Sequence, residues 1–442
     1  MSGRLVALVA CLWALIPAPG NAETIAITGA TVHTMGPAGT LSRATVLVED
    51  GRIKAVGADV AIPAGARRIP ADGKIVTPGI FDPVSVLGLE EISLEPSTVD
   101  HVQRGDRYTA AFDVAPAINP RSTLIDVNRI EGVTRAMAAP TSAQADESGL
   151  RSSVISGLGA VFSLGGGDDY LTRARAALFV QLGSAGGSVA YGSRAEALLR
   201  LRSALGDARD YSENLAAFTR GERRAYSVSA EDLQALQPVL AGRIPLVANV
   251  ERASDIGAAL RLADEFGIRL VIAGGSEAWR VADALASAEV PVILNPLVNL
   301  PADFDRLEAT LENAARLHAA GVTIAFSAGA GHNPRNIPQA AGNAVAHGLP
   351  WHVGLRAITR APAEIFGLAD EVGSIRPGLR ADLVVWDGDP LEVTSFPDQV
   401  LIDGEPIPMV SRQTLLRDRY RRPEGDRDKA LPPAYVRPWA SE

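Results

Sequence analysis

Cysteine and histidine are scarce in this chain. Among its 442 residues there is a single cysteine, Cys11, and there are six histidines. Because Cys11 lies in an N-terminal segment that we expect to be removed, the mature chain is predicted to contain neither disulfides nor a thiolate nucleophile. No two histidines are separated by one residue, so the chain lacks the His-x-His spacing that places two imidazoles on one face of a strand.

Basic runs and the common nucleophile and nucleotide motifs are also missing. The formal net charge is −9 and lysines and arginines form no cluster, which argues against nucleic acid as a partner. The sequence has no Gly-x-Ser-x-Gly elbow and no Gly-x-Gly-x-x-Gly fingerprint. A glycine-rich stretch at residues 164–169 lacks the Gly-Lys-Ser/Thr ending of a phosphate-binding loop, so we interpret it as a plain loop.

The N-terminus has the pattern of an export signal. Arg4 precedes an apolar run at residues 5–16, and a small-x-small sequence follows at residues 20–22. We predict a signal peptide over residues 1–22 and a periplasmic or secreted protein. The run is too short to span a bilayer, so no integral membrane segment is expected after cleavage. A lipobox-like sequence at residues 8–11 leaves a lipoprotein as the less favoured alternative.

Alternating β-type and helix-type runs occupy the middle of the chain. For example, residues 269–273 form a β-type run between the predicted helices at 253–266 and 277–288, and a further helix is predicted at 307–320. Such alternation predicts βα units and therefore an α/β fold. Residues 24–76 instead contain short β-type runs, with a hairpin signal at Asp50-Gly51.

Three phrases carry a family resemblance. They are VEDGRIKAVG at residues 48–57, PGIFDPVSV at residues 78–86 and ADLVVWD at residues 381–387, and they occur in this order. Together they resemble the amidohydrolase superfamily and its imidazolonepropionase-like subgroup. The resemblance implies a TIM-like (β/α)8 barrel over residues 77–372, inserted in a small β-sandwich built from residues 23–76 and 373–414. Residues 415–442 are expected to form a C-terminal tail.

The same resemblance locates the positions of the superfamily's metal ligands and general acid/base. The family's first barrel strand reads Pro-Gly-x-x-Asp-x-His-x-His, its fifth ends in His-x-His-Arg-x-x-Asp-Ile, its sixth resembles Val-Ile-Glu-His-Gly, and its eighth ends in an aspartate. We could not place the ligand of the fourth strand. In this sequence the corresponding residues are Val84, Val86, Asn249, Glu251, Gly274 and Ala328.

These substitutions decide the expected chemistry. Relatives are expected to hydrolyse C–N bonds with zinc, but valine, glycine and alanine offer no side-chain ligand, so we expect no metal cofactor here. The remaining candidates for catalysis are Asp82, Glu251 and His332. Asp82 could instead be a strand-end residue that accepts backbone hydrogen bonds, and His332 could merely order its loop. The candidate binding residues at the barrel mouth are Ser85, Asn249, Gly274, Ser327 and His332.

The leading functional hypothesis is a non-catalytic binding or partner subunit. Its expected partner is an active amidohydrolase paralogue or a second copy of this chain. Two alternatives remain open at the level of sequence. One is a hydrolase with a relocated or metal-free site around Asp82, Glu251 and His332, and the other is a periplasmic protein that binds a small molecule in the barrel mouth.

Overall fold

The computed structural model of the chain describes residues 24–143, 152–190, 192–328 and 333–421. The predicted signal peptide and lipobox, His332, and most of the predicted C-terminal tail lie outside the described residues. Within them, none of the helices combines the length and the apolar character needed to cross a bilayer.

Strands and helices follow one another in the α/β order predicted from sequence. The strands are β1 (Ile25–His33), β2 (Thr40–Glu49), β3 (Arg52–Gly57), β4 (Arg67–Pro70), β5 (Ile75–Pro78), β6 (Ile80–Ser85), β7 (Val102–Gln103), β8 (Val133–Ala138), β9 (Thr141–Ser142), β10 (Ile155–Ser163), β11 (Leu171–Gln181), β12 (Leu246–Val250), β13 (Leu270–Gly274), β14 (Val292–Leu294), β15 (Ile324–Phe326), β16 (Leu383–Trp386), β17 (Pro397–Ile402) and β18 (Glu405–Pro406). The α-helices are α1 (Thr123–Arg129), α2 (Gly183–Val189), α3 (Arg194–Glu213), α4 (Leu215–Thr219), α5 (Ala230–Leu240), α6 (Ala253–Phe266), α7 (Ala282–Ser287), α8 (Asn313–Ala319), α9 (Ile337–Ala346), α10 (Trp351–Ala357), α11 (Arg360–Ile365) and α12 (Arg412–Tyr420). Short 3-10 helices lie at Pro96–Thr98, Ala115–Ala117, Ala278–Val281 and Pro334–Asn336.

Both ends of the chain build one sheet. Its strand order is β18-β17-β16-β5-β1-β2-β3, with β4 paired beside β1. The β2–β3 turn has Asp50 and Gly51 at positive φ, 52° and 73°, the conformation expected of a two-residue hairpin turn. Ile27, Val46 and Leu383 are among the residues that pack into a separate apolar core here. The sheet domain implied by the resemblance is therefore confirmed.

The remaining large sheet forms a nearly closed barrel. Its strand order is β15-β14-β13-β12-β11-β10-β8-β6, and β15 lies beside β6. Ser327, just after β15, donates a 3.0 Å hydrogen bond to the carbonyl of Val84 on β6. Phe81, Val247 and Ile293 fill the interior with other alternate strand residues. The predicted TIM-like barrel is confirmed.

One barrel strand departs from the parallel pattern. β10 pairs antiparallel with both β8 and β11, while the other neighbouring strands pair parallel. A short turn suffices between antiparallel strands, whereas a parallel pair needs a crossover helix. The glycine-rich stretch at residues 164–169 supplies that turn, with Gly166 and Gly167 both at φ 83°. It is a hairpin connection, in agreement with its interpretation as a plain loop.

A buried ion cluster joins the barrel to the sheet. Arg135 on β8 is 2% exposed and donates from Nε to Asp382 at 2.7 Å. Its Nη2 also bonds Asp382, at 3.2 Å, and pairs with Asp403. Because Asp382 and Asp403 flank β16 and β17, this cluster fixes the sheet against the base of the barrel. Beyond β18, helix α12 includes the first residues of the predicted tail.

Candidate functional site

A cavity of about 410 Å³ lies where the barrel strands end. Its wall includes the last residue of β6, β11, β13 and β14, and residues directly after β8 and β15, so it occupies the C-terminal face of the barrel. In this architecture the loops of that face carry the functional groups. The polar residues of the wall are Ser85, His101, Thr141, Gln181, Asn249, Glu251, Ser276, Asn295, Arg306 and Ser327.

Most residues singled out in the sequence meet at this cavity. Val84, Val86 and Gly274 contribute to its wall together with Ser85, Asn249, Glu251 and Ser327. Asp82 lies deeper in β6, and neither it nor Ala328 belongs to the wall. His332 lies outside the described residues.

Glu251 and Gly274 are in direct contact. A Cβ atom built on Gly274 would lie 2.7 Å from Glu251 Oε1 and 2.9 Å from its Cδ, which is closer than real side-chain atoms approach. Gly274 also has φ 91°, a conformation that favours glycine. The carboxylate of Glu251 thus fills the space that a side chain on residue 274 would need.

Three hydrogen bonds hold Glu251 in this position. Its Oε2 accepts from the backbone N–H of Ser276 at 2.9 Å and from the Ser276 hydroxyl at 2.5 Å. Its Oε1 accepts from Arg306 Nη2 at 3.0 Å. Arg306 comes from the long segment between β14 and α8, so this ion pair also ties that segment to the cavity. Both carboxylate oxygens are therefore already engaged by hydrogen-bond donors.

Asn249 belongs to a chain of uncharged polar groups. Its Nδ2 donates to Gln181 Oε1 at 2.8 Å. Gln181 in turn donates to the hydroxyls of Thr141 at 3.4 Å and Ser156 at 3.3 Å. Gln181 is the last residue of β11, the fourth barrel strand, and thus occupies the strand end that sequence reasoning left unassigned. The only sequence signal for it is a polar residue closing a β-type run.

Asp82 is buried beneath the cavity. Its Oδ1 accepts from the Ser327 hydroxyl at 3.0 Å and from the backbone N–H of Val84 at 3.3 Å, while Oδ2 has no hydrogen-bond partner among the described residues. Burial raises the pKa of this carboxyl to about 7, and the bonds from Ser327, Val84 and Ser85 oppose that rise only in part. Asp82 thus lies inside β6 rather than at its end, and it accepts a backbone hydrogen bond from Val84 and a side-chain hydrogen bond from Ser327.

His101 is a wall residue that sequence reasoning did not select. Its Nε2 lies 2.9 Å from Glu90 Oε2, and its Nδ1 is buried without a hydrogen-bond partner among the described residues. It sits just before β7, which pairs with β9 at the barrel mouth. Because His101 follows no predicted strand, periodicity gave no indication that it would reach the site.

A second, larger depression lies at the opposite end of the barrel. It has a volume of about 700 Å³ and is lined by residues that precede strands, such as Pro245, Arg269, Pro291 and Thr323. The N-terminal face of this architecture is associated with stability rather than with chemistry. The smaller cavity is therefore the candidate site.

Comparison with known proteins agrees with this architecture. Residues 242–410 match the family model described as "Amidohydrolase family". The chain is also similar to the crystal structure of an amidohydrolase from Thermotoga maritima, with 28% identity and a TM-score of 0.76. That similarity covers 87% of this chain and 99% of the Thermotoga chain. Residues 242–410 thus carry the amidohydrolase family pattern, and the chain as a whole shares the fold of the Thermotoga protein.

Other similarities are narrower or more distant. A second amidohydrolase structure shares the fold, at 18% identity and a TM-score of 0.54 over 87% of this chain and 99% of that one. A 72-residue stretch is 43% identical to Amidohydrolase tasK from Hapsidospora irregularis. It spans 16% of this chain and 7% of the Hapsidospora protein.

Proposed function

We propose that this amidohydrolase-superfamily protein has lost the metal site and acts as a non-catalytic binding or partner subunit in the periplasm or outside the cell. The observation that carries the proposal is the contact between Glu251 and Gly274, with Arg306 bonded to the same carboxylate. This contact supports the view that the ion pair between Arg306 and Glu251 occupies the position at which relatives are expected to bind zinc.

The side chains at the expected ligand positions do not fit a tight zinc site. Zinc needs three or four converging nitrogen, sulfur or carboxylate ligands. Val84 and Val86 offer none, and Asn249 already donates to Gln181. Across residues 24–143, 152–190, 192–328 and 333–421, no group of three or more His, Cys, Asp or Glu side chains is placed to hold a metal ion.

Arg306 adds an electrostatic argument. A cation that approached Glu251 would meet a fixed positive charge bonded to the same carboxylate at 3.0 Å. Two positive charges that lie a few ångströms apart at a partly buried site repel each other strongly. Arg306 therefore satisfies Glu251 while opposing a metal ion beside it.

The cavity suits a small-molecule binding role. Apolar side chains such as Phe179 and Ile293 line it together with a limited set of hydrogen-bonding groups. Concave, mostly apolar walls with a few convergent polar groups are typical of ligand pockets. In a complex, an active paralogue would supply the hydrolysis and this subunit would contribute binding.

The hydrolase alternative receives less support from the geometry. Asp82 lies below the cavity wall, and both oxygens of Glu251 already accept hydrogen bonds from Ser276 and Arg306. That alternative predicts that Glu251→Gln abolishes turnover while the protein stays folded.

Thermal unfolding with and without metal tests the proposal. A ligand that binds only the folded state raises the unfolding temperature according to its concentration relative to Kd. We expect the midpoint of the mature protein to be the same after EDTA treatment and in excess Zn²⁺. An upward shift with Zn²⁺ that disappears in Glu251→Gln would contradict the loss of the metal site.

A further inference from the structure

One of the two ring nitrogens of His101 is hydrogen-bonded, and the other has no hydrogen-bond partner in the part of the chain that the structure describes. Nε2 bonds the Glu90 carboxylate at 2.9 Å, and Nδ1 is buried with no hydrogen-bond partner among the described residues. His101 as a whole is 8% exposed, yet it forms part of the cavity wall. Buried polar atoms are nearly always hydrogen-bonded, so this nitrogen requires an explanation.

Glu90 determines which nitrogen carries the proton. A carboxylate can only accept a hydrogen bond, so the Nε2 atom facing it must be the donor. In the neutral ring this leaves Nδ1 as an acceptor. Glu90 is not part of the cavity wall, which places the engaged edge of the ring away from the cavity.

The backbone around His101 is well fixed. The carbonyl of His101 accepts a 2.9 Å bond from the N–H of Thr141, and β7 pairs with β9 immediately after it. Thr141 also lines the cavity and bonds Gln181. The ring is therefore held in place next to the polar chain of Asn249 and Gln181 before any ligand binds.

We infer that His101 is a ligand-binding residue whose Nδ1 accepts a hydrogen bond from an N–H or O–H group of a small molecule in the barrel-mouth cavity. This inference rests on the binding role proposed above. The ligand must present a donor to His101, and Arg306 at the same cavity can donate to its carbonyl or carboxylate oxygen. A small molecule that combines an apolar body with a polar group carrying a hydrogen-bond donor fits this cavity.

A matched pair of probes tests the inference. Benzamide and acetophenone have nearly the same shape and both carry a carbonyl, but only benzamide carries N–H donors. Titration of the mature protein, followed by calorimetry or NMR, should show benzamide binding about tenfold more tightly, as expected for one buried hydrogen bond. The variant His101→Lys retains N–H donors that can pair with Glu90 but has no hydrogen-bond acceptor. In this variant, the ratio of benzamide to acetophenone affinity should therefore fall to about one.

Each outcome has a distinct meaning. Equal binding of both probes to the wild-type protein overturns the assignment of His101 and leaves the binding role intact. A preference for benzamide that persists in His101→Lys, with an unchanged unfolding midpoint, also overturns the assignment and indicates that His101 is only a structural partner of Glu90. If neither probe binds saturably, the binding role proposed above fails as well.

Discussion

The carboxylate of Glu251 lies against the Cα of Gly274, in the space that any side chain on residue 274 would occupy. Gly274 ends β13, Glu251 directly follows the neighbouring strand β12, and both residues line the same cavity. Ser276 and Arg306 hold the carboxylate there, so it cannot move away without losing hydrogen bonds. A side chain on residue 274 would therefore require the Glu251 carboxylate to shift away from these hydrogen bonds.

Replacing Gly274 with alanine should be costly. Positive φ alone costs a non-glycine residue roughly 1–2 kcal/mol, and the clash with Glu251 should add about 1–2 kcal/mol. The matched control is Gly321→Ala, because Gly321 has φ 88° but nothing within 4 Å of its Cβ position. Urea unfolding should show a larger loss for Gly274→Ala, and Glu251→Ala in the same chain should remove the excess. Equal losses at the two glycines would show that the contact with Glu251 is unimportant.

Asp82 should make stability depend on pH. Its pKa is raised to about 7 in the folded protein, so the folded state holds the proton more tightly than the unfolded chain. The stabilisation is complete below about pH 4 and is lost as the pH rises through about 7, with a total near 4 kcal/mol.

Unfolding at two pH values measures that dependence. Between pH 5 and pH 8 the wild-type protein should lose roughly 2–3 kcal/mol more of its unfolding free energy than Asp82→Asn does. Asp59→Asn, at an exposed position, serves as the control and should behave like the wild type. The same pH dependence in Asp82→Asn and the wild type would show that Asp82 does not titrate in this range.

The Arg135 cluster should be important for stability. Removing one partner of a buried ion pair leaves an uncompensated charge, so Arg135→Met should cost about 3–5 kcal/mol of unfolding free energy. Arg173 pairs with Glu371 but is 38% exposed, so Arg173→Met should cost at most about 1 kcal/mol. Chemical denaturation of both variants makes the comparison, and similar losses would argue against a special role for the buried cluster.

Much of the fold could be predicted from sequence because it depends on local patterns. Helix α6 occupies residues 253–266 as predicted, since its apolar residues repeat at helical spacing and Gly267 ends it at φ 65°. The helix predicted at 307–320 begins only at Asn313. Residues before it instead place Arg306 and Glu308 in contact with the barrel, a tertiary requirement that local spacing does not express.

Local sequence patterns also fail to predict the direction of β10 and the residues that line the cavity. The direction of β10 depends on its neighbours and on the turn at Gly166 and Gly167, and the family pattern suggested a uniformly parallel barrel. His101 and Gln181 reach the cavity through loop and strand-end geometry rather than through any motif. Asn249, Glu251 and Gly274 could be selected because they interrupt recognisable family phrases, but their mutual contacts could not.

Elemental analysis of the purified mature protein tests whether the protein has lost the metal site. After incubation with Zn²⁺ and exhaustive dialysis, we predict less than about a tenth of an equivalent of zinc, because among the described residues no set of three or four ligands converges at the cavity. About one equivalent that resists dialysis would contradict the account. The protein should then be assayed as a metal-dependent hydrolase.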